Sequence, residues 1–107
     1  MVPELTAPQL AEKLKSPNPP LLIDVREQDE CDFCRIPGGE LKPLGGLMQW
    51  AGDLDPEAEI VCYCHTGQRS YMAAHYLRQH FKFKNVFNLE GGIDAWSVLV
   101  DPGVPRY

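Results

Sequence analysis

The 107-residue chain has no long hydrophobic run: nothing approaches the ~20 consecutive apolar residues of a membrane helix, and the N-terminus lacks the basic and apolar regions of a signal peptide. A cytoplasmic protein without a membrane partner is therefore expected. Basic residues are also in deficit, with 10 Lys and Arg against 15 Asp and Glu and a net charge of −5, which removes any general electrostatic reason to bind nucleic acid. The length leaves no room for a second core, so residues 1–107 are read as one domain, expected to be a monomer. Cysteine is sparse and comes as two tight pairs, Cys31/Cys34 and Cys62/Cys64, which is not the pattern of a disulfide framework.

Two further absences are local. Proline is missing from Glu57 to Asp101, although eight of the ten prolines lie between Pro3 and Pro56, so the most regular structure is expected in the proline-free stretch. Carboxylates are missing between Glu59 and Glu90, where Arg69, Arg78, Lys82, Lys84 and all three histidines fall. Residues 1–60 hold 12 acids and 5 bases, whereas residues 61–107 hold 3 and 5. The acid-free window would suit a small anion.

What is present parses as alternating strands and helices. Thr6-Ala-Pro-Gln9 has the form of a capping box with Pro8 in the first turn, and predicts a short helix from Ala7 to Lys15. Leu21 to Val25, Glu59 to Cys64 and Asn85 to Leu89 are short apolar runs of the kind buried on both faces. Between the last two, Ser70 to His80 carries Met72, Ala73, Tyr76 and Leu77 at helical spacing. A further helix is expected over Leu44 to Ala51, and Gly91-Gly92 opens a last one. Strand, helix, strand requires a crossover and hence parallel strands. The expected fold is α/β, a central, mostly parallel five-stranded sheet with helices on both faces, and ligands of such sheets sit at the carboxyl ends of the strands.

Cys64-His-Thr-Gly-Gln-Arg69-Ser70 occupies such a position, after a buried strand and before a helix. A turn there lets successive N–H groups point at one spot, reinforced by the positive end of the helix, and a thiolate at Cys64 is the anion this cup would favour. Gly67 fits the point in the turn where a Cβ would obstruct the backbone. The alternative is that Cys64 is a buried small hydrophobe.

Cys64-x-x-Gly67-x-Arg69-Ser70, with Asp24-Val-Arg26-Glu27, Ile36-Pro37-Gly38-Gly39 and Leu89-Glu-Gly91-Gly92-Ile-Asp-Ala95-Trp96, resembles the single-domain rhodaneses, the thiosulfate sulfurtransferases, from about Glu4 to the end of the chain. The resemblance implies a rhodanese-like three-layer fold and a catalytic Cys64 that carries sulfur as a covalent persulfide, with no other cofactor. His65, Thr66, Gly67, Gln68 and Arg69 would form the loop that binds substrate and persulfide. The donor would be a small anionic sulfur compound, thiosulfate or a persulfide, and the acceptor cyanide, a thiol or a sulfur-carrier protein. Arg69 is the candidate for gripping thiosulfate, and His65 is given no acid–base role. Two other readings remain: the related phosphatases and arsenate reductases, and a non-catalytic module that only binds partners. Rhodaneses that handle sulfur have six residues from cysteine to arginine and the phosphatases seven; here Cys64 to Arg69 counts six.

Asp24, Arg26 and Glu30 are expected to form a supporting ion network. Cys34-Arg35 replaces the Gly-His common in related sequences, so Arg35 is a candidate for the pocket rim. Cys62, two residues before Cys64, is expected in the core. Cys31-x-x-Cys34 suggests a redox pair or half a zinc site, but Cys62-x-Cys64-His65 is poorly spaced for the other half, and no metal is expected.

Overall fold

The computed structural model describes residues 1–107. Its elements are β1 (Glu4–Leu5), α1 (Ala7–Leu14), β2 (Leu21–Asp24), α2 (Gln28–Phe33), β3 (Glu40–Leu41), α3 (Leu47–Trp50), β4 (Glu59–Tyr63), α4 (Gln68–Gln79), β5 (Asn85–Leu89) and α5 (Gly92–Leu99). The five strands form one sheet in the order β1-β5-β4-β2-β3, and every pairing is parallel. The α/β sheet read from the sequence is therefore present, and wholly rather than mostly parallel.

Alternation along β4 explains the three layers. Ile60 and Cys62, with Cys64 just beyond the strand, project to one face, where they pack with Ile23, Val25, Val86 and the α4 residues Ala73, Ala74 and Leu77. Val61 and Tyr63 project to the other, against Leu10 of α1 and Ile93 and Trp96 of α5. Both faces of β4 are buried, as a central parallel strand requires. Cys62 lies in the first of these cores with no exposed surface, and burial pushes its thiol up to about 12.

The capping box of α1 forms as expected: the Gln9 N–H donates to Thr6 Oγ1 at 3.3 Å and the Thr6 N–H to Gln9 Oε1 at 2.8 Å. The helix expected over Leu44 to Ala51 is broken up. Only Leu47–Trp50 is α-helical, between 3₁₀ turns at Leu44–Gly46 and Ala51–Asp53, because Gly45 and Gly46 resist a continuous helix. Three elements have no counterpart in the periodicity: α2 and the two-residue strands β1 and β3. Two residues show no period, and a six-residue helix barely completes one.

Candidate active site

Strand β4 delivers Cys64 to the carboxyl edge of the sheet, and α4 starts four residues later. Gly67 caps that helix at φ +107° and brings no capping side chain. The first N–H groups of the helix therefore need another acceptor. That acceptor is sulfur: Cys64 Sγ receives the Gly67 N–H at 3.1 Å, the Ser70 N–H at 3.4 Å and the Ser70 hydroxyl at 3.3 Å. Ser70 is fully buried, and its hydroxyl contact could not be read from the sequence.

The loop's carbonyls are turned the other way. The Ile93 N–H donates to Cys64 O at 2.9 Å and the Asp94 N–H to His65 O at 3.1 Å, so the start of α5 takes up these oxygens while the Gly67 and Ser70 N–H groups face the sulfur. Such close approach needs Gly92, where a Cβ would stand 2.4 Å from His65 O and 2.5 Å from Cys64 O. Asn88, fully buried on β5, donates from Nδ2 to Gly67 O at 3.0 Å and to Glu4 Oε2 at 2.8 Å, tying the loop to the sheet edge. Its part was invisible in the sequence, where it is one polar residue within an apolar run.

Asp24 and Arg26 form the expected buried pair, a fork of 2.9 and 2.7 Å. Arg26 also donates to Cys34 O at 2.6 Å and to the Tyr107 hydroxyl at 2.9 Å, while the Tyr63 hydroxyl donates to Asp24 Oδ2 at 3.0 Å. Burial alone would lower the Arg26 pKa, but the bonds to Asp24 and Tyr107 outweigh it and the guanidinium stays charged. Glu30 departs from the expected network. Only its backbone carbonyl meets Arg26; its carboxylate takes the Arg69 fork at 2.7 and 2.9 Å and the Tyr107 hydroxyl at 2.8 Å. Both Nη atoms of Arg69, expected to grip the substrate, are thus engaged within the protein.

Tyr107 lies in the irregular tail, where no pattern marked it. Its ring stacks on His65 with centroids 3.9 Å apart and planes 10° from parallel. Thr66 and Gln68 are exposed on the loop's outer side. Arg35 is exposed and reaches toward Cys31 Sγ at 4.0 Å, making no hydrogen bond to the loop. Cys31 and Cys34 are buried free thiols, and no group of three or more His, Cys, Asp or Glu side chains is gathered at metal-binding distance. The largest cleft, about 550 Å³, is lined by Leu44, Leu47, Met48, Met72 and Tyr76 and includes no residue of the loop. Cys64 itself is 1% exposed, so its sulfur is nearly closed off from solvent.

The hydrogen bonds from Arg69 hold the Glu30 carboxyl well below the carboxylate range, at about 2. With the folded-state value depressed, the pair's contribution is complete above the ordinary carboxylate range and is lost as pH falls toward 2. Because the Arg69 side chain is 38% exposed, screening limits this contribution to roughly 1 kcal/mol. In urea titrations at a series of pH values, the stability gap between the wild-type chain and Glu30→Gln is expected to be constant above pH about 5 and to close toward pH 2; a gap independent of pH would assign the difference to packing.

Comparison with known proteins agrees with this geometry. Residues 6–99 match the family model for the rhodanese-like domain. The chain belongs to that family. It is 36% identical over 113 residues to a rhodanese-like/PpiC domain-containing protein of Arabidopsis thaliana, covering 99% of this chain and 38% of the other. It is 34% identical over 96 residues to YrkF of Bacillus subtilis, a protein named for a sulfur-carrier role, covering 90% of this chain and 51% of that one. It is 33% identical over 97 residues to a sulfurtransferase of Allochromatium vinosum, covering 91% and 90%. The chain thus spans about half or less of the length of the first two rhodanese relatives. A rhodanese-like domain protein from Staphylococcus aureus superposes with a TM-score of 0.82 at 25% identity, covering 99% of both chains. The family's relatives include sulfurtransferases and proteins named for sulfur carriage, and no helix of this rhodanese domain is long and apolar enough to cross a membrane.

Proposed function

We propose that this rhodanese domain is a sulfurtransferase that moves sulfane sulfur from thiosulfate or a persulfide donor to cyanide or a thiol acceptor, through a persulfide on Cys64. The observation that carries the reading is the set of three donors converging on Cys64 Sγ at 3.1 to 3.4 Å. Donors fixed in advance stabilise a sulfur anion without reorganisation, both in the thiolate and in the persulfide that replaces it. The Cys64 thiolate attacks the outer sulfur of thiosulfate; the S–S bond breaks, its electron pair leaves with sulfite, and Cys64 retains a terminal sulfur carrying one negative charge. The acceptor then attacks that terminal sulfur and regenerates the thiolate, giving ping-pong kinetics.

The reaction needs no general base once the thiolate exists, which leaves His65 to its stacking contact with Tyr107. It uses no metal and no cofactor beyond the persulfide. A thiol on a sulfur-carrier protein suits the acceptor side, because the protein named for sulfur carriage among the relatives contains this same domain within a longer chain. The six-residue spacing from Cys64 to Arg69 favours a single sulfur over a phosphate group, which needs a wider ring of donors.

Incubation with thiosulfate followed by intact-protein mass spectrometry is expected to add the mass of one sulfur atom to the wild-type chain and nothing to Cys64→Ala. Thiocyanate should form when cyanide is added, and an aryl phosphate should not be hydrolysed. No adduct, or one that persists without Cys64, overturns the reading.

A further inference from the structure

Three guanidinium groups packed around the loop each face a carboxylate. Arg26 is paired with Asp24 at 2.7 Å, Arg69 with Glu30 at 2.7 Å and Arg106 with Asp94 at 2.8 Å, and Asp94 also donates its N–H to the loop itself. Arg35, the other cation in this region, is directed at Cys31. Of these cations only Arg69 lies in the acid-free window of the sequence, and its carboxylate partner comes from outside it. What attracts an anion at Cys64 is the Gly67 and Ser70 N–H groups with the Ser70 hydroxyl, surrounded by ion pairs that cancel.

From this arrangement, and resting on the sulfurtransferase reading, we infer that Glu30 is a specificity-determining residue that selects against doubly charged sulfur donors in favour of singly charged ones. The carboxylate takes one N–H from each Nη of Arg69, so an incoming sulfonate finds that end-on fork filled and meets a fixed negative charge beside the guanidinium. The Tyr107 hydroxyl, held in turn by Arg26, donates to the same carboxylate and keeps it turned toward Arg69. A second charge on the donor is disfavoured, whereas the attack on sulfur, which needs only the three donors at Cys64 Sγ, is untouched. The selection acts on the donor's charge and not on the reacting bond.

Two donors of nearly equal shape separate these effects. Thiosulfate carries two negative charges; the methanethiosulfonate anion has a methyl group in place of one oxygen and carries one. In both, Cys64 takes the terminal sulfur and the S–S bond breaks, releasing sulfite from the first and methanesulfinate from the second, so atoms and charge balance in each case. Glu30→Gln keeps an oxygen for Arg69 and removes the charge. The ratio of kcat/KM for thiosulfate to that for methanethiosulfonate is expected to rise about tenfold in this variant, mainly through a lower KM for thiosulfate. A merely structural role for Glu30 would lower both donors alike and leave the ratio unmoved, which would overturn the inference; so would a shift toward methanethiosulfonate.

A measurement on the wild-type chain guards against a variant that fails to fold. With the surrounding charges cancelled, the KM for thiosulfate should change less than about twofold between roughly 20 and 200 mM salt, whereas a cationic mouth would make it rise steeply and overturn the inference. Failure of the sulfurtransferase reading would look different, since the wild-type chain would then form no Cys64 adduct with either donor.

Discussion

Arg26→Met is expected to cost on the order of 3–5 kcal/mol in urea unfolding, because it leaves Asp24 charged and without its ionic partner in a place closed to water. Asp24 and Arg26 have side-chain exposures of 2% and 0%. The substitution removes the side-chain bonds of Arg26 to Asp24 at the end of β2, to the carbonyls of Glu30 and Cys34 and to the Tyr107 hydroxyl. Stability for a domain of this size is itself only about 5–15 kcal/mol, so the loss is a large fraction of the total. The double variant Asp24→Leu/Arg26→Met separates charge from hydrogen bonding. If the stranded carboxylate dominates, the double variant recovers at least half the loss; if it is as unstable as the single one, the bonds to Cys34 O and Tyr107 matter more. Tyr63 keeps one partner in either case, since its hydroxyl accepts the Ile36 N–H at 3.2 Å.

Gly92→Ala is expected to have the larger effect on activity. At φ +60° an alanine pays the cost of a left-handed conformation, about 1 kcal/mol, and its Cβ would also lie 2.4 to 2.6 Å from the backbone of Cys64 and His65. Those are peptide atoms and not the flexible ends of side chains, so relief requires α5 and the loop to separate. The bonds from Ile93 and Asp94 to the loop carbonyls would then stretch or break, and the N–H groups facing Sγ would lose their aim. The expectation is a loss of roughly 2–4 kcal/mol in stability and a fall of at least about a hundredfold in the rate of Cys64 adduct formation, read by mass spectrometry in a time course. Gly38→Ala is the control. Its φ is +89°, but nothing lies within 4 Å of the added Cβ, so it should show only the conformational cost and an unchanged adduct rate. Equal damage from both substitutions would mean that contact with the loop is not what Gly92 provides.

Much of this molecule is legible from short stretches of chain. The capping box at Thr6, the apolar runs that become β2, β4 and β5, the proline-free helix α4 and the glycines opening α5 are each signalled by residues within one or two turns of one another. Their physical basis is local: side-chain period, backbone freedom and orphan N–H groups that must find acceptors. The same locality made Cys64 and its loop identifiable, because strand, short turn and helix follow without interruption.

Tertiary structure alone decided which side chains meet across large separations. Glu30 and Arg69 are 39 residues apart, Glu30 and Tyr107 are 77, and Arg26 and Tyr107 are 81. No periodicity records such partners, since each residue looks locally like an ordinary surface acid, base or tail aromatic. For the same reason the parts played by Asn88 and the Ser70 hydroxyl have no signature in the sequence, nor does the pairing of Arg69, inside the acid-free window, with Glu30 from outside it. Sequence determined by itself where Cys64 and its loop would stand. Folding decided the charge around them, because charges are set by neighbours in space and the chain returns to this loop from both ends.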